Sequence, residues 1–439
     1  MRLDEILPDR LREGLTPAER RLLARVADGE EADFSAPDEG QNDPTQGAAW
    51  GPERTIRAAF LHWLCTDAQA ATCVPPKGIR IRGARIEGPL DFEGATLLHR
   101  LSLIRCAIPE GILLTDARAR RIDLSGSYIR GLHADGLAVE GDLVLSGARL
   151  ENPSGDALSA DGMTVEGDVF LDQGFHATGA VQLLGARIRG ALVCTEARFE
   201  NPNGIALNLE HARLGEIMDD EGSWPQRGRL RIDGLEYEGF AGDRTPKDAR
   251  RRLEWFRRQL PDFRPQPYDQ LARVFRRMGR EADAVEVLIA KQEDLIRHGK
   301  LSWWGRLTRR ILGVTIGHGY RSGRALLWSL AFVIAGALIF GWANARGLMA
   351  PSSPEILTDP LYRAGGTIPP DYPRFQALAY SLDAFLPIVD LHQESFWLPD
   401  AGKPFGALVR LYLWIHIAAG WFLSTLFVSG VTGLVRRLE

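Results

Sequence analysis

Catalytic signatures are what this 439-residue sequence lacks. It has no GxGxxG after a strand-like run, no GxxxxGK[ST] phosphate loop, no HExxH, no GxSxG and no CxxC. Nucleotide cradles, zinc proteases and serine hydrolases of those designs are therefore not indicated, and no catalytic residue is assigned. Cysteine is scarce. Cys65, Cys73, Cys106 and Cys194 are spaced for neither a CxxC pair nor a compact zinc site, so reduced, mostly buried thiols and no metal are expected. No cofactor motif is present either. A basic excess is missing too: the formal charge is −4 and the pI near 6.2, which argues against a nucleic-acid partner. The N-terminus, Met1-Arg2-Leu3-Asp4-Glu5, has no apolar run of the kind a cleaved signal needs. The bulk of the chain is expected to stay in the cytoplasm, and its length allows two or three units.

What is present first is a repeat. Apolar residues two positions apart recur as Ile79/Ile81, Leu90/Phe92, Leu101/Leu103, Ile112/Leu114, Ile122/Leu124, Leu132/Ala134 and Leu143/Leu145, then Leu158/Ala160, Val169/Leu171, Val181/Leu183, Leu192/Cys194 and Leu207/Leu209. An i, i+2 pair marks a very short strand with one buried face, and the regular spacing of 11, 11, 11, 10, 10 and 11 from Ile79 to Leu143 marks one unit stacked repeatedly. Gly-Ala pairs such as Gly83-Ala84, Gly94-Ala95, Gly147-Ala148 and Gly185-Ala186 punctuate the units. Two intervals stretch to 15, and both carry Asn-Pro-x-Gly, in Asn152 to Gly155 and in Asn201 to Gly204. They read as the same loop projecting from one side of a solenoid. Arg85, Arg149, Arg187, Arg198 and Arg213 sit at equivalent repeat positions, which explains them without a ligand.

The repeats resemble degenerate pentapeptide-type and related right-handed β-helices, with the period near 11 expected to be half a coil. Residues 78–240 are read as that right-handed β-helix, and residues 1–77 as a helical N-terminal cap. In the cap, Thr16-Pro17-Ala18-Glu19 predicts an N-capped helix, Glu53 to Leu64 predicts a helix with Ile56, Phe60 and Leu64 on one face, and the acidic, turn-rich stretch from Gly29 to Gly51 predicts a mobile loop. Residues 241–324 read as a helical stalk. Thr245-Pro246 is expected to open one helix, and Pro267 to His298 to form two helices meeting near Gly279, resembling a single tetratricopeptide-like hairpin. The stalk ends in an interfacial segment, where Trp303 and Trp304 would sit at headgroup depth while Arg306, Arg309 and Arg310 face anionic lipid.

Residues 325–439 read as a two-span membrane domain. Ala325 to Ala345 carries no charge over 21 positions, and Leu411 to Val435 is the second apolar run. Lys291 to Arg324 holds eight Lys and Arg against two acids, and Arg436-Arg437 follow the second run, whereas 346–410 holds five against seven. The positive-inside rule then puts both termini in the cytoplasm of a bacterial inner membrane, in a multi-pass topology. His416, five residues into the second run, is an ionisable group where ionisable groups are costly.

Between the runs, Phe375 to Phe385 is helix-compatible, and Leu386-Pro387-Ile388-Val389-Asp390-Leu391-His392 follows. Helix, extended segment and a second span with Gly420, Gly430 and Gly433 resemble the two-helix pore-loop module of the potassium-channel superfamily, with the loop at 375–396. That resemblance implies a homo-oligomer, a tetramer if a pore forms. Leu386 to Asp390 contains no glycine, so a potassium filter is not implied. The candidate loop residues are Asp383, Pro387, Asp390, His392 and Glu394, lining a path or lying at the water boundary of a surface plug. Taken whole, the chain resembles bacterial pentapeptide-type-repeat membrane proteins often catalogued as membrane-associated oxidoreductases. Two functions are thus expected from different classes: a membrane-anchored scaffold with a cytoplasmic protein partner on the solenoid, gating a pore, or a membrane oxidoreductase.

Overall fold

The computed structural model describes residues 3–259, 263–299, 301–321, 323–365 and 368–431. Arg436, Arg437 and Gly433 lie outside the described residues. Two compact units result, Met1–Ala290 and Lys291–Glu439.

The first unit is a β-solenoid of parallel strands. Ile79 pairs with Leu101, Leu101 with Ile122, Ile122 with Leu143, Leu143 with Val169, Val169 with Leu192, Leu192 with Ile217 and Ile217 with Phe240. Eight rungs in this one column mean seven turns. At ~4.8 Å between strands the stack is about 34 Å long. A turn takes 22 residues from Ile79 to Leu101, so the 11-residue period is half a coil, as its spacing predicts. The alternate pairs, such as Leu90/Phe92 and Ile112/Leu114, form a second column on the other sheet. All of these apolar pairs are buried.

Two further columns carry a single inward residue each, including Ile86, Ile108, Ile129 and Leu150 in one and Leu97, Ala119, Val139 and Val165 in the other. They leave no i, i+2 signal. Corners follow each apolar pair by two residues, and the chain there has positive φ: Gly83, Gly94, Gly126, Gly136, Gly147, Gly162 and Gly185 fill it, but so do Arg105, Asp116, Gln173, Glu196 and His211. A non-glycine residue tolerates this left-handed conformation at a cost of about 1 kcal/mol, which explains why the repeat is recognisable but degenerate.

Two of the arginines at repeat positions lie beside acidic side chains, one on the next rung and one on its own strand. Arg213 pairs with Glu236, and Arg198 lies 3.9 Å from Glu200. The two Asn-Pro-x-Gly loops do project from one side. Asn152 Nδ2 donates to Asp156 O at 3.0 Å and Asn201 Nδ2 to Ile205 O at 2.7 Å, the same brace in both, and Asn203 Nδ2 reaches back to Pro153 O at 3.1 Å. Gly179 occupies the intervening rung with φ of 125°, and a Cβ there would lie 2.4 Å from Asn152 O. Gly179→Ala is therefore expected to cost about 2–4 kcal/mol, measured as a fall in the solenoid's thermal midpoint.

Both ends of the stack are covered. The helix Pro17–Ala27 is N-capped as expected, and Thr16 and Glu19 form a reciprocal capping box there. Glu19 is fully buried, and its carboxylate also accepts from Arg57. Two expectations need correction. Residues 55–57 form a strand, Thr55–Arg57, paired with Arg85–Glu87, and the helix begins only at Ala58. The acidic segment is not a loop but part of the cap: Ala32–Asp33 pairs with the first rung, and two 3-10 turns bury Asn42 beside Trp50. The physical reason is the same in both cases, because an open solenoid end leaves strand edges that something must pair with.

At the other end, the helix Ala249–Phe256 starts after Asp248, which accepts from Arg251 N, and not at Pro246. The helices Gln266–Arg277 and Glu281–His298 follow, with Gly279 at φ 73° between them. Gln270 Nε2 donates to Tyr237 O at 2.7 Å, and Gln266 Nε2 to Leu235 O at 3.0 Å, so side-chain amides satisfy carbonyls of the last rung. Beneath them Arg252, fully buried, forms a two-pronged pair with Asp219 at 2.6 and 2.8 Å.

The second unit contains a helix Trp303–Ile316 and two helices, Gly323–Ala345 and Gly406–Val431, long and apolar enough to cross a membrane. A two-stranded pair, Met349–Pro351 with Trp397–Pro399, ties the intervening segment together at one end of the helices.

Candidate functional site

Between the two apolar helices lies a third, Ala377–Phe385. Its apolar residues Tyr380, Ala384 and Phe385 are buried against Phe340, Val333, Leu413 and Leu423 of the long helices. Residue contacts along it give its direction. Ala377 lies against Gly341, Ser381 against Gly336, and Phe385 against Gly420 and Val333. The short helix thus runs inward from the end held by the strand pair. Its last residue lies level with Val333, twelve residues from Ala345, or ~18 Å at 1.5 Å per residue.

Glycines make that approach possible. A Cβ on Gly420 would lie 1.9 Å from Phe385 O, and one on Gly336 2.3 Å from Ser381 Oγ. Gly420→Ala is expected to destabilise the unit by about 1–3 kcal/mol in detergent melts, whereas Gly341→Ala, whose Cβ would meet only Ala377 Cβ at 3.4 Å, is tolerated.

Because the helix Gly406–Val431 starts five residues before the apolar run, His416 is ten positions past Gly406 and not near its end. It is fully buried. Its Nε2 lies 3.0 Å from Ser381 O and 3.2 Å from Ser381 Oγ, and its Nδ1 3.4 Å from Tyr412 OH. Ser381 Oγ in turn donates to Val333 O at 2.8 Å. An Nε2–H tautomer satisfies this arrangement, so His416 and Ser381 bind all three helices together. Ser381, Tyr412, Gly336 and Gly420 were not legible as a group in the sequence. The i, i+4 spacing of Tyr412 and His416 was the one local signal.

Pro387 stops the short helix as expected, with Leu386 extended at φ −91° and ψ 110°. The chain then turns back, and Asp383 holds the return. Its carboxylate accepts from Leu391 N at 2.6 Å and from Gln393 N and Glu394 N at 2.8 Å each. Asp383 is buried and fully engaged in this task. Asp390 and His392 instead face outward, with His392 Nδ1 3.2 Å from an Asp390 carboxylate oxygen, and His392 adopts φ 60°. Burial, then the nearby charges of Asp383 and Asp390, push the Glu394 carboxyl up. Ile388, Val389 and Leu391 are exposed, Ile388 by 95%. Among the described residues, the carbonyls of Pro387 through Leu391 accept no hydrogen bond, and the amides of Ile388 and Asp390 donate none.

Trp303 and Trp304 are exposed and stack at 3.8 Å, Arg306 and Arg310 are exposed, and Arg309 donates to Gln292 at 2.6 Å. The cysteines are free thiols, and burial pushes that of Cys106 up to about 12 and raises those of Cys65 and Cys194. Such thiols form little nucleophilic thiolate at neutral pH. Comparison with protein-family models, curated proteins and solved structures finds no match to this chain. The fold itself defines a class: a β-solenoid joined in one chain to two C-terminal apolar helices.

Proposed function

We propose that this chain is a membrane-anchored β-solenoid scaffold whose two apolar helices span a bilayer, and whose loop 386–392 is completed by further copies of the chain around a polar path. The observation that carries the reading is the loop itself. It is non-helical, the carbonyls of Pro387 through Leu391 are unpaired among the described residues, and it sits about halfway along the apolar helices. Hydrocarbon does not tolerate such backbone facing lipid, but protein contact or a water-filled passage does. The long helices fit the same setting. Leu326, Leu327, Leu330, Ile334 and Leu338 on one and Leu408, Trp414, Ile415 and Val428 on the other are exposed, with 22% of each apolar window buried. A soluble core helix would bury most of that surface.

Charge asymmetry around the helices supports a bacterial inner membrane with both termini and the solenoid in the cytoplasm, where its length offers a surface to a protein partner. Asp390 and His392 would line the passage, with Glu394 at its mouth, and Asp383 and Pro387 would set the loop's shape. The acidic lining favours cations.

The test is reconstitution of the purified full chain. Native mass measurement is expected to give a multiple of the 48.6 kDa protomer, and liposomes loaded with it are expected to pass cations. Asp390→Asn combined with His392→Gln is expected to reduce the flux tenfold or more. A monomer without flux would sink the pore, leaving only the anchored solenoid.

A further inference from the structure

The helix Trp303–Ile316 has a face left exposed among the described residues. Ser302 Oγ accepts from Gly305 N at its start, and its inner side is anchored, with Ile316 fully buried and Trp328 Nε1 donating to Val314 O at 3.3 Å. Its outer side presents Trp303, Leu307, Ile311 and Val314, exposed by 64, 40, 40 and 59%. These positions follow i, i+4, i+8 and i+11, one continuous stripe along a helix. Arg306 and Arg310, one turn apart, are both exposed, and neither has an ion-pair partner among the described residues. The helix itself carries Arg306, Arg309 and Arg310 and no acidic residue, and no Asp or Glu occurs in the sequence between Asp294 and Glu355.

A protein partner for this stripe would need its own apolar ridge and acids beside it. An anionic bilayer surface supplies both at once: acyl chains for the aromatic and aliphatic stripe, and phosphate groups for the two guanidinium forks. The surface also adjoins the proposed bilayer in sequence, because only residues 317–322 separate this helix from Gly323–Ala345. We infer that Trp303–Ile316 is an anionic-phospholipid docking helix, in which Arg306 and Arg310 bind headgroup phosphates while Trp303, Leu307, Ile311 and Val314 enter the headgroup–acyl boundary. The inference rests on the bilayer-spanning reading of the two long helices and adds lipid selectivity to it.

The experiment uses the full chain, delipidated in detergent and titrated with palmitoyl-oleoyl phosphatidylglycerol or phosphatidylcholine, with bound lipid counted by native mass measurement. Wild type is expected to prefer phosphatidylglycerol. A basic residue near an anionic surface contributes about a fivefold factor, so Arg306→Gln with Arg310→Gln is expected to weaken that preference by about 30-fold. Arg306→Lys with Arg310→Lys keeps most of it, and Arg346→Gln, beyond the far end of the first long helix, leaves it unchanged. An undiminished preference in the double glutamine variant, with an unchanged thermal midpoint, overturns the inference. Carbonate extraction separates this from the reading beneath it. If the double variant stays in the membrane, a lost preference concerns the docking helix alone, and if wild type itself is released, the spanning reading fails.

Discussion

Arg252→Ala is expected to remove about 3–5 kcal/mol from the solenoid and to loosen its C-terminal cap before the rest of the stack unfolds. Arg252 is fully buried, and its guanidinium has two roles. It neutralises Asp219 through two hydrogen bonds, and it holds Pro246 O at 2.7 Å from Nε. It also lies 3.9 Å from the centre of the Phe240 ring on the last rung. Removing it leaves a buried carboxylate whose remaining side-chain partner is Trp224 Nε1 at 2.8 Å. The cost comes mainly from that uncompensated charge. Arg252→Met with Asp219→Leu should consequently be closer to wild type than Arg252→Ala alone. Trp224 and Trp255 flank the pair, so urea melts followed by tryptophan fluorescence report the region directly. A single variant within about 1 kcal/mol of wild type would contradict this account.

Asp383→Ala is expected to have the largest effect in the second unit. Three backbone amides, of Leu391, Gln393 and Glu394, would lose their acceptor together. A buried amide left unpaired costs about 1–3 kcal/mol, so the return of the loop should open by about 3 kcal/mol or more. Hydrogen exchange at residues 391–394 should then accelerate on the order of 10²-fold, a readout that does not depend on whether the assembly conducts. Asp383→Asn retains one carbonyl oxygen and should fall between the two. Unchanged exchange in Asp383→Ala would mean that the return segment is held by other contacts, such as Gln393 Oε1 on Gln376 N at 3.0 Å.

The solenoid was legible because its strongest signal is geometric. Leu101/Leu103 and Ile122/Leu124 can bury both members only if a short strand is stacked, and the 11-residue interval could be read as half a coil before any pairing was seen. The other two columns were not legible, since a lone Ile108 or Val139 between polar neighbours has no periodicity of its own. Ile56 was misread for a related reason. Its spacing to Phe60 and Leu64 suits a helix, yet an exposed strand edge at Arg85–Glu87 recruits it into a rung. In the second unit, Pro387 announced the end of the short helix, while nothing local announced that Asp383 would turn inward and bind the returning backbone.

By itself, the sequence determined the class of architecture: a repeat of short buried strands, two apolar runs of spanning length and a proline-broken segment between them. Those features depend on period, length and backbone chemistry, all of which are properties of residues close in the chain. The tertiary structure decided the rest. It showed how the ends of the stack are capped, how Ser381 and His416 join three helices, and that the loop at 386–392 lies about halfway along them with the carbonyls of Pro387 through Leu391 unpaired among the described residues. Each of these joins residues tens of positions apart, and such pairings follow from the free energy of closing edges and satisfying buried polar groups, which no local pattern encodes.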